Sequence, residues 1–281
     1  MNTWKVVGSV AGVAAGLGVA TYFGLPKLLQ RLGLHAHYEG RRFNLVGKRA
    51  LVIATSHDTL GESGKATGVA ASELTWPYYE FLDANMQVDV ASIKGGEIPF
   101  EPMTLRWPVA MSADKRYLAD PDLQEKVRHS LKIDDLDFTE YDLVFMAGGW
   151  GAAYDLGTSE VLGRKISEAY AAGAVLGSVC HGALGFLQAT DENGEPLLKG
   201  RHATGVSDKQ VRELGISITP QHPETELRKI GAIYESDTAF RDFFANLTVV
   251  DGRIVTGQNQ NAGSETAQKM MAVLVQEMAK E

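Results

Sequence analysis

Residues 174–186 read AVLGSVCHGALGF. A short apolar run closes on Ser178-Val179, and Cys180-His181-Gly182 follows at once. Read as a buried strand that stops where a helix opens, the stretch sets Cys180 at a sharp strand-to-helix turn. Parallel α/β sheets keep their ligand sites at that end of their strands. A helix N-terminus there carries partial positive charge, which favours thiolate over thiol and predicts a depressed thiol pKa. Gly177 and Gly182 permit close packing around a tight turn, as in other nucleophile elbows. The competing reading is an inert buried cysteine, against which stand the adjacent His181 and Gly182.

Working outward, the same pattern repeats. Residues 49–55 (RALVIAT), 86–92 (MQVDVAS), 141–147 (YDLVFMA) and 174–179 are short apolar or alternating runs, each read as a strand. Residues 68–85, 120–131, 159–172, 182–189, 225–230 and 264–280 carry helical patterns; Pro77 sits inside the first. Residues 247–251 and 253–256 flank Asp251-Gly252, a hairpin signal. Strands alternating with helices predict a flavodoxin-like α/β fold: a doubly wound, mainly parallel sheet with helices on both faces. Residues 95–111, broken by Pro99, Pro102 and Pro108, and residues 215–233 would form a small cap.

The bulk numbers bound the possibilities. The chain has 281 residues, 44% hydrophobic, with net charge −8. That suffices for a sizeable core, and no basic stripe runs through the body, which argues against nucleic-acid binding. With a single cysteine no intrachain disulfide forms. His57, His202 and His222 have no metal-ligand spacing, so no metal is expected. Residues 6–25 (VVGSVAGVAAGLGVATYFGL) form an uncharged run long enough to span a bilayer, though rich in Gly and Ala. Residues 1–30 are therefore read as an N-terminal apolar helix, either a membrane anchor or a signal cleaved after Ala20, with a soluble or interfacial helix as the third reading. Residues 31–47 read as a basic linker and 48–281 as the catalytic domain. Lys27, Arg31, Arg41, Arg42, Lys48 and Arg49 follow the run, which would keep that domain on the cytoplasmic face.

Five segments, in order over residues 48–280, resemble the DJ-1/PfpI superfamily, and most closely its Hsp31-like branch. They are SVCHG at the elbow; GKATGVAASELTWP at 64–77; VFMAGGWG at 144–151; PLLKG at 196–200 with ATG at 203–205; and DGRIVTG at 251–257 with Asn259 and Ala262. The resemblance implies Cys180 as nucleophile, Glu73 as the acid that meets it, and His181 beside them. It implies an oxyanion or substrate pocket at Gly148, Gly149 and Trp150, and a homodimer. Two departures stand out. Trp150 occupies a position that is histidine in many members. The branch's usual third, acidic residue falls on Val211, leaving Asp208 or Glu213 as candidate orienting acids for His181, or no acid at all. No His-x-Glu pair follows the cysteine, as a glutamine amidotransferase would need.

The resemblance implies a cofactor-independent, aldehyde-handling enzyme, a lyase of the glyoxalase III type that turns methylglyoxal into lactate. The alternatives are hydrolysis of a small amide or peptide, and a stress chaperone or redox sensor in which Cys180 is oxidised.

Overall fold

The computed structural model describes residues 21–22, 24–34 and 38–280. In chain order its strands are β1 (Arg49–Ala54), β2 (Thr59–Leu60), β3 (Lys65–Ala66), β4 (Gln87–Ser92), β5 (Leu131–Lys132), β6 (Leu143–Met146), β7 (Val175–Val179), β8 (His202–Ala203), β9 (Ile233–Tyr234), β10 (Thr248–Asp251) and β11 (Ile254–Gly257). Seven of them form one sheet in the order β10-β11-β7-β6-β1-β4-β5. Every neighbouring pair is parallel except the β10–β11 hairpin, which turns at Asp251-Gly252 as expected.

The helices are α1 (Ala71–Asp83), α2 (Ser112–Leu118), α3 (Pro121–Arg128), α4 (Ala152–Asp155), α5 (Glu160–Ala171), α6 (Asp208–Leu214), α7 (Pro223–Lys229) and α8 (Gly263–Met278). They cover both faces, because strand side chains alternate between two apolar layers. Ala50, Val52, Leu143, Phe145 and Val175 join the layer under α1 and α8. Leu51, Ile53, Val144, Met146 and Leu176 join the layer under α5. A parallel strand buried on both faces reads as a continuous apolar run, which is why these strands stood out in the sequence.

Three expectations are corrected. Residues 182–189 are not an α-helix: Cys180–Phe186 is a 3-10 helix. A Cβ on Gly182 would lie 2.1 Å from the Met146 carbonyl oxygen, and the narrower 3-10 winding suits a turn pressed that closely on β6. Second, residues 215–233 supply no wall of the main cavity; their helix α7 packs beneath the Cys180–Phe186 turn.

The third correction concerns the membrane. Among the described residues no helix is long and apolar enough to cross one, so the anchored, cytoplasmic-face placement is withdrawn. Most of the 6–25 run lies outside the described residues. Its Gly/Ala composition has few large side chains to favour lipid. Beyond it, residues 24–31 are helical and rest on the domain. Trp107 stacks on Tyr22 with centroids 5.5 Å apart and donates its indole N–H to the Tyr22 carbonyl. Residues 38–47 also run along the domain: Leu45 is buried, and its N–H donates to the Ala84 carbonyl at 2.7 Å.

Candidate active site

Strand β7 delivers Cys180 to the C-terminal edge of the sheet. Val179 is still extended, but Cys180 has φ +57°. A β-carbon in the left-handed region costs about 1–2 kcal/mol, which the surrounding packing must hold in place. The strained turn lifts the thiol off the strand while its neighbours stay fixed. The N–H groups of His181 and Gly149 both face Sγ. Gly149 comes from the loop after β6 and has φ +107°. A Cβ there would sit 2.4 Å from the Gly68 carbonyl oxygen and the Ala70 nitrogen, so only glycine lets these loops meet.

Glu73 stands in the first turn of α1. The preceding Ala70 offers no capping side chain, and Thr104 supplies the missing acceptor by taking the Ala71 N–H at 3.0 Å. The Glu73 carboxyl is 1% exposed, is hydrogen-bonded to Cys180 and is faced by the Gly148 N–H. Its Oε2 would be 2.5 Å from a Cβ on Gly148. That oxygen forms no hydrogen bond of ordinary geometry within the protein.

Burial pushes the Glu73 carboxyl up to about 8 against the hydrogen bonds from Cys180 and Gly148, so it holds its proton at pH 7. Burial, aided by the Glu73 charge, also pushes the Cys180 thiol well above its usual range. This reverses the depressed pKa read from the sequence. The sequence reading rested on the dipole of a helix N-terminus. The structure has a short 3-10 turn and a cysteine 6% exposed. Glu73 and Cys180 therefore form a pair that carries at most one negative charge near neutral pH.

His181 is fully buried, with Nδ1 3.5 Å from Sγ. Burial, with His222 nearby, pushes it down to about 3, so it is neutral. Among the described residues its Nε2 has no hydrogen-bond partner. Neither proposed acid reaches it. Asp208 accepts from the Thr225 hydroxyl, and Glu213 accepts the Asp242 N–H at 2.9 Å. Val211, at the position the branch gives to an acid, is buried in the core.

A cavity of about 470 Å³ opens over this group. Trp150, Met103, Val109, Val206, Leu214 and Phe243 give it a largely apolar wall, and Gly149 lies in it too. The sequence reading missed two residues here. Glu101, in the cap stretch, is a second buried carboxyl in that wall, and His222 sits near His181. Neither carries a local signature, since each arrives through a contact distant in sequence.

Residues 65–273 match the family model described as DJ-1/PfpI family. Glyoxalase 3 of Candida albicans is 28% identical over 239 residues, covering 80% of this chain and 97% of its own. The glutathione-independent glyoxalase HSP31 of Saccharomyces cerevisiae is 27% identical over 236 residues, covering 81% and 98%. Among solved structures, Rapid Encystment Protein 24 KDa of Francisella tularensis superposes with TM-score 0.75 at 31% identity, over 81% of this chain and 99% of that one. The Candida albicans glyoxalase III structure superposes with TM-score 0.74 at 28% identity, over 80% and 97%.

Proposed function

From the chain's membership of the DJ-1/PfpI family, we propose that it is a glutathione-independent glyoxalase, with Cys180 the nucleophile and Glu73 the proton carrier. The observation that carries the reading is the Glu73 carboxyl, protonated at pH 7 and hydrogen-bonded to a cysteine on a strained turn. The relatives named glyoxalase support the same chemistry.

In this scheme the 2-oxoaldehyde enters with its aldehyde carbon over Sγ. Sulfur adds to that carbon. Glu73 takes the thiol proton on one oxygen as it gives its own proton from the other to the aldehyde oxygen, leaving a hemithioacetal. Glu73, which still carries one proton, gives it to the ketone oxygen as its other oxygen takes the hydrogen on that carbon, giving an enediol; it then returns a proton to the adjacent carbon as it takes the one on the first carbon's hydroxyl. The result is a thioester between Cys180 and the 2-hydroxy acid. Water attacks the thioester, the acid leaves, and the thiol is restored. Methylglyoxal plus water becomes lactate, with no net redox change. We class it with the lyases because the reverse reaction is a dehydration of lactate.

The N–H groups of Gly149 and His181 are the donors placed to meet oxyanions formed at the nucleophile. Trp150 lies in the wall beside them, while Gly148 stays out of the wall and turns its N–H to the Glu73 carboxyl. A carboxyl near 8 is better matched than an imidazole near 3 to a proton exchanged at pH 7. His181 thus serves first through its N–H and its contact with Sγ. The absence of an acid on His181 argues against a Cys-His-acid hydrolase.

The test is lactate formation from methylglyoxal without glutathione, by the protein and by Cys180→Ala. Wild-type turnover that vanishes in the variant is expected. No lactate from the wild type, or undiminished lactate from the variant, would sink the reading.

A further inference from the structure

Glu101 has no part in the scheme above, yet it is 6% exposed in the wall of the cavity. Its Oε1 accepts from three donors on two loops. These are the Thr67 hydroxyl, the Gly68 N–H at 3.3 Å and the Trp150 N–H at 3.2 Å. Its backbone joins the same place, for the Glu101 N–H donates to the Val69 carbonyl at 2.9 Å. One carboxylate oxygen therefore ties together the cap stretch, the loop before α1 and the Gly149-Trp150 turn. A buried carboxylate is costly unless donors compensate it, and here each donor belongs to a segment of the site. The Trp150 N–H that it holds is one residue beyond the Gly149 N–H that faces Cys180.

We propose that Glu101 is a positioning residue that fixes the Gly149-Trp150 turn and thereby aims the Gly149 N–H at the nucleophile. The proposal rests on Cys180 being the reactive thiol. Burial pushes the Glu101 carboxyl up, and its charge adds to the upward push on Glu73. Glu101 thus bears on both partners of the pair, one through geometry and one through charge.

Two substitutions separate these effects. Glu101→Gln keeps an oxygen for all three donors and removes the charge, while Glu101→Ala removes both. Two readouts follow each: the pH dependence of Cys180 alkylation by iodoacetamide, and lactate formation from methylglyoxal. Glu101→Gln is expected to keep kcat within about fivefold. Glu101→Ala should lose ~10²-fold in kcat with little change in KM, as for a displaced oxyanion donor. Alkylation of the Ala variant should need higher pH than that of the Gln variant. Equal loss in both variants would make Glu101 an acid in its own right and overturn the positioning role. Wild-type alkylation and turnover in Glu101→Ala would overturn it as well. If Glu101→Ala fails to fold, Thr67→Val removes one of the three donors and should shift alkylation in the same direction; an unshifted profile overturns the proposal. Absence of lactate throughout, with the alkylation order intact, would reject the glyoxalase chemistry and leave the positioning role standing.

Discussion

At the scale of single residues, Glu73 decides the behaviour of the site. Glu73→Gln removes the proposed proton carrier, so kcat should fall ~10²–10⁴-fold. The same change removes the charge and hydrogen bond that add to burial in holding the thiol up, so iodoacetamide should alkylate Cys180 faster above about pH 8, where the wild-type carboxyl is ionised. Loss of turnover with gain of thiol reactivity is an opposed pair of effects, and both moving down together would point to misfolding. Stability gives a second check. A carboxyl raised from 4.5 to about 8 by folding contributes fully below the lower value and loses that contribution as pH rises through the higher. The wild type should therefore lose stability on Glu73→Gln as pH climbs from 5 to 9, by on the order of a few kcal/mol. Thermal melts of both across that range test this, and a constant gap would show that Glu73 does not titrate as described. Cys180 and Glu73 were legible in the sequence because each lies inside a contiguous motif. Glu101 and His222 were not, because what makes them matter is a contact with a segment some 30 or more residues away. The direction of the thiol's shift was also beyond local reading, since burial by distant segments sets it.

At the scale of elements, the interior strands were the most legible part. β1, β6 and β7 are buried on both faces, so each reads as a continuous apolar run. The two-residue edge strand β5 was not separable from the polar pattern of α3 beside it. Helix α6 was hidden because Ser207, which caps it by accepting the Gln210 N–H, precedes a turn with few apolar residues. The turn Cys180–Phe186 shows what local pattern cannot settle. Its spacing suited an α-helix, while the close approach of Gly182 to β6 favours a tighter winding. Gly182→Ala puts a methyl group against the Met146 backbone, 2.1 Å from its carbonyl oxygen, where no side-chain rearrangement relieves it. A loss of about 3 kcal/mol is expected, with the Cys180 turn displaced and turnover reduced. Denaturant melts and lactate assays on that variant check it, and wild-type stability would mean that the backbone there yields.

At the scale of the whole molecule, the order of the sheet explains why the site lies where it does. Cys180 and the Gly148-Gly149 loop leave adjacent parallel strands, β7 and β6, at their C-terminal ends, and α1 is the helix that follows the loop beyond β1. Three consecutive neighbours thus converge on one crevice. Tyr22 and the residues just after it meet that crevice from outside. The helical stretch 24–31 and Tyr22 rest on Trp107 and Met111, while Pro102, Met103, Thr104 and Val109 of the same stretch wall the cavity. In mechanical terms, Tyr22 and the stretch 24–31 are a lever whose short arm is one jaw of the mouth. A load applied there reaches the cavity wall before it reaches the sheet. Held on a bead by its first residues under a few piconewtons, the enzyme should show a raised KM at unchanged kcat. Held by α8 at the same force, it should show neither change, and identical responses from the two attachments would break the lever.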